Sequence, residues 1–126
     1  ISYAKSGSEL TFEIRNVPNL YRATAIFTKE VKNGKIQFKE TKTKFDGTIL
    51  SSFSVSSTDE KKVSEIRLMF KIKKEDLKIS KIKENELSMY INNKKLKTVL
   101  TEKKDSHIYY VATSKEMGNY VIGKAK

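Results

Sequence analysis

His107 is the single histidine of this 126-residue chain, and Asp105 and Ser106 stand directly before it. Serine, histidine and aspartate are the residue types of a nucleophilic relay, in which each group must orient the next. Three neighbours on a turn point in divergent directions, so the sequence predicts no relay here and no catalytic residue elsewhere. Glu75-Asp76 offers paired carboxylates. Just ahead of Leu77, both acids fit the first turn of a short helix, facing the positive end of its dipole. A calcium loop needs a dense run of Asp, Asn and Glu around a glycine, and the nearest candidate, Asp46-Gly47, stands alone. The five glycines form neither a GxGxxG nor a phosphate-cradling loop. Cysteine is absent, which removes disulfides, zinc–cysteine sites and thiol catalysis together. The chain reads as a non-enzyme with no cofactor and no metal.

Two groups of side chains remain as binding candidates. Lys71, Lys73, Lys74, Lys78, Lys81 and Lys83 crowd one stretch and could contact an anionic surface; otherwise they line a solvated connection. Tyr90 and Tyr109 are candidates for an exposed aromatic contact on which sugars or bases stack, against the alternative of cross-strand packing. Tyr109 and Tyr110 must lie on opposite faces of one strand, one inside and one outside. The net charge is +11, with nine cations against seven acids in residues 1–60 and seventeen against eight in residues 61–126. Such a balance suits an anionic partner: nucleic acid, an acidic glycan or a lipid surface. Nucleic acid fits less well, because 23 of the 26 cations are lysine and only Arg15, Arg22 and Arg67 can make a bidentate fork. A Lys/Glu-rich surface without cysteine also suits a thermostable protein.

The elements that must hold these residues follow a period of two. Leu10–Arg15 alternates strictly, and Tyr21–Val31 is rich in β-branched and aromatic residues. Asn33-Gly34, between Val31 and Ile36, is a strong hairpin signal, and Asp46-Gly47 is a second tight-turn dipeptide. Ile49, Ser51, Phe53 and Val55 share one face, and a polar loop follows over Ser56–Lys62. The clearest strand is Glu65–Ile72, with Ile66, Leu68, Phe70 and Ile72 inward and Arg67 and Lys71 in solvent. Lys73–Asn85 breaks the rhythm and predicts a helical turn near Lys74–Lys78 within a connection. Asn92-Asn93 then predicts a two-residue turn that pairs Met89 with Leu96 inside and Tyr90 with Lys95 outside, with Leu87 buried and Lys97 in solvent. The reading is all-β: an Ig-like antiparallel β-sandwich of eight or nine strands with one wet face on each sheet. No apolar stretch is long enough to span a bilayer, and Ile1–Lys5 lacks the basic start and apolar run of a signal peptide.

One order of features is specific enough to compare. The alternating strand Ser64–Ile72 runs into the short helix Lys74-Glu75-Asp76-Leu77 and then the strand Leu87–Ile91. Lys95-Leu96-Lys97-Thr98, a turn over Thr101–Ser106, Tyr109-Tyr110-Val111-Ala112 and finally Met117–Ile122 complete the series. This order resembles the PGF-pre-PGF domain of archaeal cell-surface proteins, with Thr24–Phe38 answering that family's opening hairpin. The family's two tryptophans are missing, Glu116–Asn119 replaces its Pro-Gly-Phe, and lysine replaces its acidic character. The resemblance implies an extracellular, structural or adhesive module of an archaeal cell-envelope or surface-filament protein, S-layer-like in role. Its partners would be other copies or neighbouring domains, and it carries over no catalytic residue. The chain, which has no Asn-x-Ser/Thr acceptor, would be one domain over residues 1–126 of a larger surface protein. Residues 1–8 would be a linker or extended lead-in. Strand edges or terminal segments should self-associate within an assembly, whereas the isolated domain should be a monomer.

Overall fold

A computed structural model describes residues 3–4, 7–29, 31–32, 35–58 and 63–126. In chain order the strands are β1 (Tyr3–Ala4), β2 (Glu9–Glu13), β3 (Leu20–Phe27), β4 (Val31–Lys32), β5 (Ile36–Glu40) and β6 (Gly47–Ser57). They continue with β7 (Val63–Lys73), β8 (Ser88–Ile91), β9 (Lys94–Lys95), β10 (Lys97–Lys103), β11 (His107–Ser114) and β12 (Gly118–Ala125), with one helix, α1 (Lys74–Ser80), after β7. Two five-stranded antiparallel sheets result, the first in the order β10-β11-β7-β3-β2 and the second β5-β6-β12-β8-β9. Among the described residues β1 pairs with β4 in a separate two-stranded sheet. The molecule is the all-β sandwich that the alternation predicts. Its strands of four or more residues number nine among the described residues.

Alternation places one face of each sheet in a shared core. On β7, Ile66, Leu68, Phe70 and Ile72 are all fully buried. Phe70 lies opposite Tyr110 on β11, and the rings stack with centroids 5.1 Å apart. The second sheet repeats the device: Phe53 lies opposite Tyr120 on β12, stacked at 5.3 Å. Burying each such ring is worth about 1.5–3 kcal/mol. Their phenols need partners in a dry interior, and they have them. The Tyr110 hydroxyl donates to the Glu84 carbonyl at 2.8 Å, and the Tyr120 hydroxyl to Ser114 Oγ at 2.9 Å.

Turn chemistry explains where local expectations hold. Asn92 and Asn93 have φ of 48° and 66°, the left-handed pair that a two-residue hairpin needs. Tyr90 therefore faces Lys95, and Leu96 N donates to the Met89 carbonyl at 2.9 Å. Leu87 and Met89 are buried as expected, but Leu96 is only half-buried because β10 forms the rim of the first sheet. Arg67 and Lys71 lie on the outward face, partly covered by their neighbours, and Lys97 is exposed. The helix covers Lys74–Ser80, with Glu75 and Asp76 in its first turn and Leu77 buried.

Elsewhere tertiary pairing overrides local signals. Asn33-Gly34 itself lies outside the described residues, as do residues 59–62 of the expected Ser56–Lys62 loop, whose first two residues instead continue β6 and pair with β5. On the two sides of Asn33-Gly34, β4 pairs with β1 and β5 pairs with β6. Asp46-Gly47 marks the start of β6 after a longer loop, where Lys126 N donates to the Asp46 carbonyl at 3.0 Å. Ile49 does not share the inner face with Ser51, Phe53 and Val55. A register shift between Ile122 and Gly123 leaves Leu50 unpaired, so Leu50 packs on the core and Ile49 is 39% exposed. Gly123 permits that bulge, since a Cβ there would sit 2.0 Å from the Thr48 carbonyl oxygen. The described part of the lead-in belongs to the body: Tyr3 and Ala4 pair with β4, and Gly7 N donates to the Phe27 carbonyl at 2.6 Å.

Candidate functional site: the outer face of the first sheet

β7 runs through the centre of the first sheet, between β3 and β11. Lys71 is level with Tyr109 on β11, and both point away from the core. On the other side, β3 carries a bulge between Leu20 and Arg22, with Tyr21 as the extra residue. A bulge re-aims the side chain it carries. Here it turns Tyr21 across β7, where its ring meets Tyr109 edge-on, centroids 5.8 Å apart at 83°. Two tyrosines from non-adjacent strands thus touch above a third strand.

Cations surround the pair. Lys71 Nζ and the Arg22 guanidinium each lie 5.8 Å from the Tyr21 ring centre, and Lys104 Nζ lies 5.1 Å from that of Tyr109. Such contacts are worth about 0.5–1 kcal/mol each at exposed sites. Arg22 also holds Glu13 at 3.0 Å and Lys104 approaches Glu102 at 3.9 Å. Lys71 has no ion-pair partner among the described residues. Burial, the largest influence, raises the Tyr21 phenol above its ordinary 10.0; Arg22 opposes this, and Tyr109, Glu102 and Glu13 add to it. Tyr21 is therefore a neutral O–H donor at physiological pH. The arrangement presents hydrogen-bond donors and positive charge above rings whose faces already carry cations.

The other sequence-derived candidates separate. Lys71 joins the tyrosine pair, while Lys73, Lys74, Lys78, Lys81 and Lys83 follow it through α1 and the connection to the second sheet. Lys81 ends the helix at a left-handed φ of 58°. Acids of the same connection offset part of its charge. Glu84 pairs with Lys103, and Glu86 pairs with Lys124 at 3.0 Å. The hydrogen bond from Lys124, helped by the Lys83 backbone N–H, holds the Glu86 carboxyl below its usual 4.5.

Tyr90 does not form an exposed contact. It lies on the outer face of the second sheet, as alternation requires, but it is only 6% exposed. The loop before β6 lays Phe45 against it, centroids 4.8 Å apart, and Ala125 N donates to its hydroxyl at 3.1 Å. Tyr109 is half-buried, and Tyr110 is the inward member of that pair. Ser106 and His107 do not diverge fully either, since Ser106 Oγ lies 2.7 Å from His107 Nδ1. The contact is at the surface, and no carboxylate bonds the ring among the described residues. Tyr21 is the functional candidate that sequence reasoning missed. Its one local signal is Leu20-Tyr21-Arg22-Ala23, where strict alternation slips by a residue.

No group of three or more His, Asp or Glu side chains is placed to hold a metal ion among the described residues. No helix is long and apolar enough to cross a membrane. Fold and site together define an antiparallel β-sandwich with one cation-decorated aromatic face. Compared with known proteins, the chain matches no family model, no curated protein and no solved structure.

Proposed function

We propose that this chain is a non-catalytic structural and adhesive module of an archaeal cell-envelope or surface-filament protein, and that it adheres to acidic polysaccharide. The adhesive surface is the outer face of the first sheet. The observation that carries this reading is the Tyr21–Tyr109 pair with Lys71, Arg22 and Lys104 set around it. The cellular setting rests on the family resemblance alone.

Carboxylated sugars suit these groups better than nucleobases do. A base needs a free ring face for stacking, and here cations already lie over both rings. A uronate instead takes charge-assisted hydrogen bonds from Lys71 and the phenols, bonds about twice as strong as neutral ones. Isothermal titration with polygalacturonate, neutral dextran and duplex DNA tests the reading at about 0.15 M salt, where exposed charges more than about 8 Å apart are largely screened. Binding to polygalacturonate alone, lost in Lys71→Glu, is expected. Tight DNA binding with a steep salt slope would instead make the chain a small basic nucleic-acid module.

A further inference from the structure

The first sheet ends on two unlike edges. β2 is one end strand, and its charged residues are Glu9 and Glu13, with exposures of 57% and 60%. β10 is the other end strand and carries Lys97 and Lys103 with Glu102. Within the segment from Lys94 to Lys104 there are five lysines and one glutamate. The second sheet offers no such match, because its β9 edge is only two residues long. An end strand leaves a row of backbone donors and acceptors unpaired, which is a template for another strand.

We propose that copies of this chain join head to tail, with the β2 edge of one molecule added to the β10 edge of the next. Four antiparallel steps separate β2 from β10, so both strands run in the same direction. Continuing the sheet therefore makes a parallel pair without reversing the molecule.

Register across the sheet sets the contacts. Thr11 is level with Thr24, Arg67, Thr113 and Lys97. Carried straight across the junction, that line sets Lys97 of one copy beside Thr11 of the next, diagonal to both Glu9 and Glu13. Diagonal neighbours lie about 7–8 Å apart at Cα, within reach of long side chains. On the inner side, half-buried Leu10 and Phe12 would come level with Leu96 and Thr98, also half-buried. Phe12 already packs against Phe38 at 6.3 Å, so that rim is preformed.

Charge also rejects the alternatives. Two β2 edges paired on each other would oppose their glutamates, and two β10 edges would oppose their lysines. Only the unlike pair attracts. An isologous contact closes a dimer, whereas a heterologous one that does not close a ring continues into a filament. Sheet twist makes such a filament helical. The net charge of +11 makes whole molecules repel at low salt, so assembly should appear near 0.15 M salt, where the screening length is about 8 Å.

Zero-length carbodiimide coupling of the chain at high concentration, read by mass spectrometry, tests the contact. Within one molecule the two edges are about 19 Å apart, four strand spacings of about 4.8 Å, so an amide between Glu9 or Glu13 and Lys97 must join two copies. That amide, in a ladder extending past dimer, is the expected result. E9K/E13K and K97E should each lose the ladder, and an equal mixture of the two should recover it. E9Q/E13Q, which keeps side-chain size but lacks the carboxylates that carbodiimide activates, cannot form the amide, and sedimentation velocity should show its assembly weakened with an unaltered circular dichroism spectrum. A ladder that stops at dimer overturns the proposal, as does one unchanged in the charge variants or the absence of the amide at the highest soluble concentration. Lys71→Glu should abolish polysaccharide binding and leave the ladder intact, so this contact and the adhesive face fail separately.

Discussion

The two outer faces of the sandwich start from the same material and end differently. Each sheet presents a tyrosine outward from an inner strand or its neighbour: Tyr109 in the first sheet and Tyr90 in the second. In the second sheet, Phe45 covers Tyr90 and the terminal strand's backbone binds its hydroxyl. In the first, the β3 bulge brings Tyr21 to Tyr109 and leaves the pair ringed by Lys71, Arg22 and Lys104. On β6 of the second sheet the outward positions Ser52, Ser54 and Ser56 are serines, whereas cations surround the open tyrosine pair of the first. An outward aromatic residue stays open to solvent only when no loop of its own chain covers it.

Several measurements can break or sharpen this contrast. The largest effect belongs to the shared background, since each sheet buries one Phe–Tyr stack. Phe70→Ala and Phe53→Ala should each cost about 3–5 kcal/mol, the usual loss for a large core ring, read by urea unfolding. A much smaller loss for one of them would show that the two sheets do not contribute alike.

Phe45→Ala addresses the covered face directly. It should cost about 1–2 kcal/mol, from the lost ring pair and its buried area. It should also make Tyr90 reactive to nitration, which tetranitromethane and mass spectrometry detect. In the unmodified chain Tyr109 should nitrate before Tyr90, and the reverse order would invert the comparison.

Tyr110 gives a smaller effect with a pH signature. Burial, with Glu84 adding, pushes its phenol up to about 12 from 10.0. A raised folded value means that its contribution is complete below pH 10 and is lost as pH rises from 10 through about 12. Tyr110→Phe should cost about 1 kcal/mol for the bond to the Glu84 carbonyl and should flatten the alkaline limb of the stability curve. The smallest effect on stability belongs to the open face. Lys71→Glu should change it by less than about 0.5 kcal/mol, as surface substitutions do, while polygalacturonate binding falls at least tenfold. A large stability loss there would make Lys71 a structural residue.

Much of the fold was legible in the residues. Ile66, Leu68, Phe70 and Ile72 declare their face by period two, and Asn92-Asn93 declares its turn by the φ it tolerates. The signal at Asp46-Gly47 was as strong locally and was misread as a tight turn. The strands on its two sides, β5 and β6, pair with each other across a longer loop, and a turn dipeptide does not reveal how many residues its connection spans. The candidate site was half legible. Tyr109 and Lys71 could be placed outward by alternation, but Tyr21 enters through a bulge that shifts the register by one residue.

By itself the sequence determined the sandwich, the inward faces and an outward excess of lysine, because strand periodicity is a local property that burial then enforces. Only the tertiary structure decided which tyrosine is covered, which is joined by another, and which two strands of opposite charge end the first sheet among the described residues. These depend on the order of strands in each sheet and on where one loop comes to rest. Both are fixed by contacts between residues far apart in the chain, which no local pattern records.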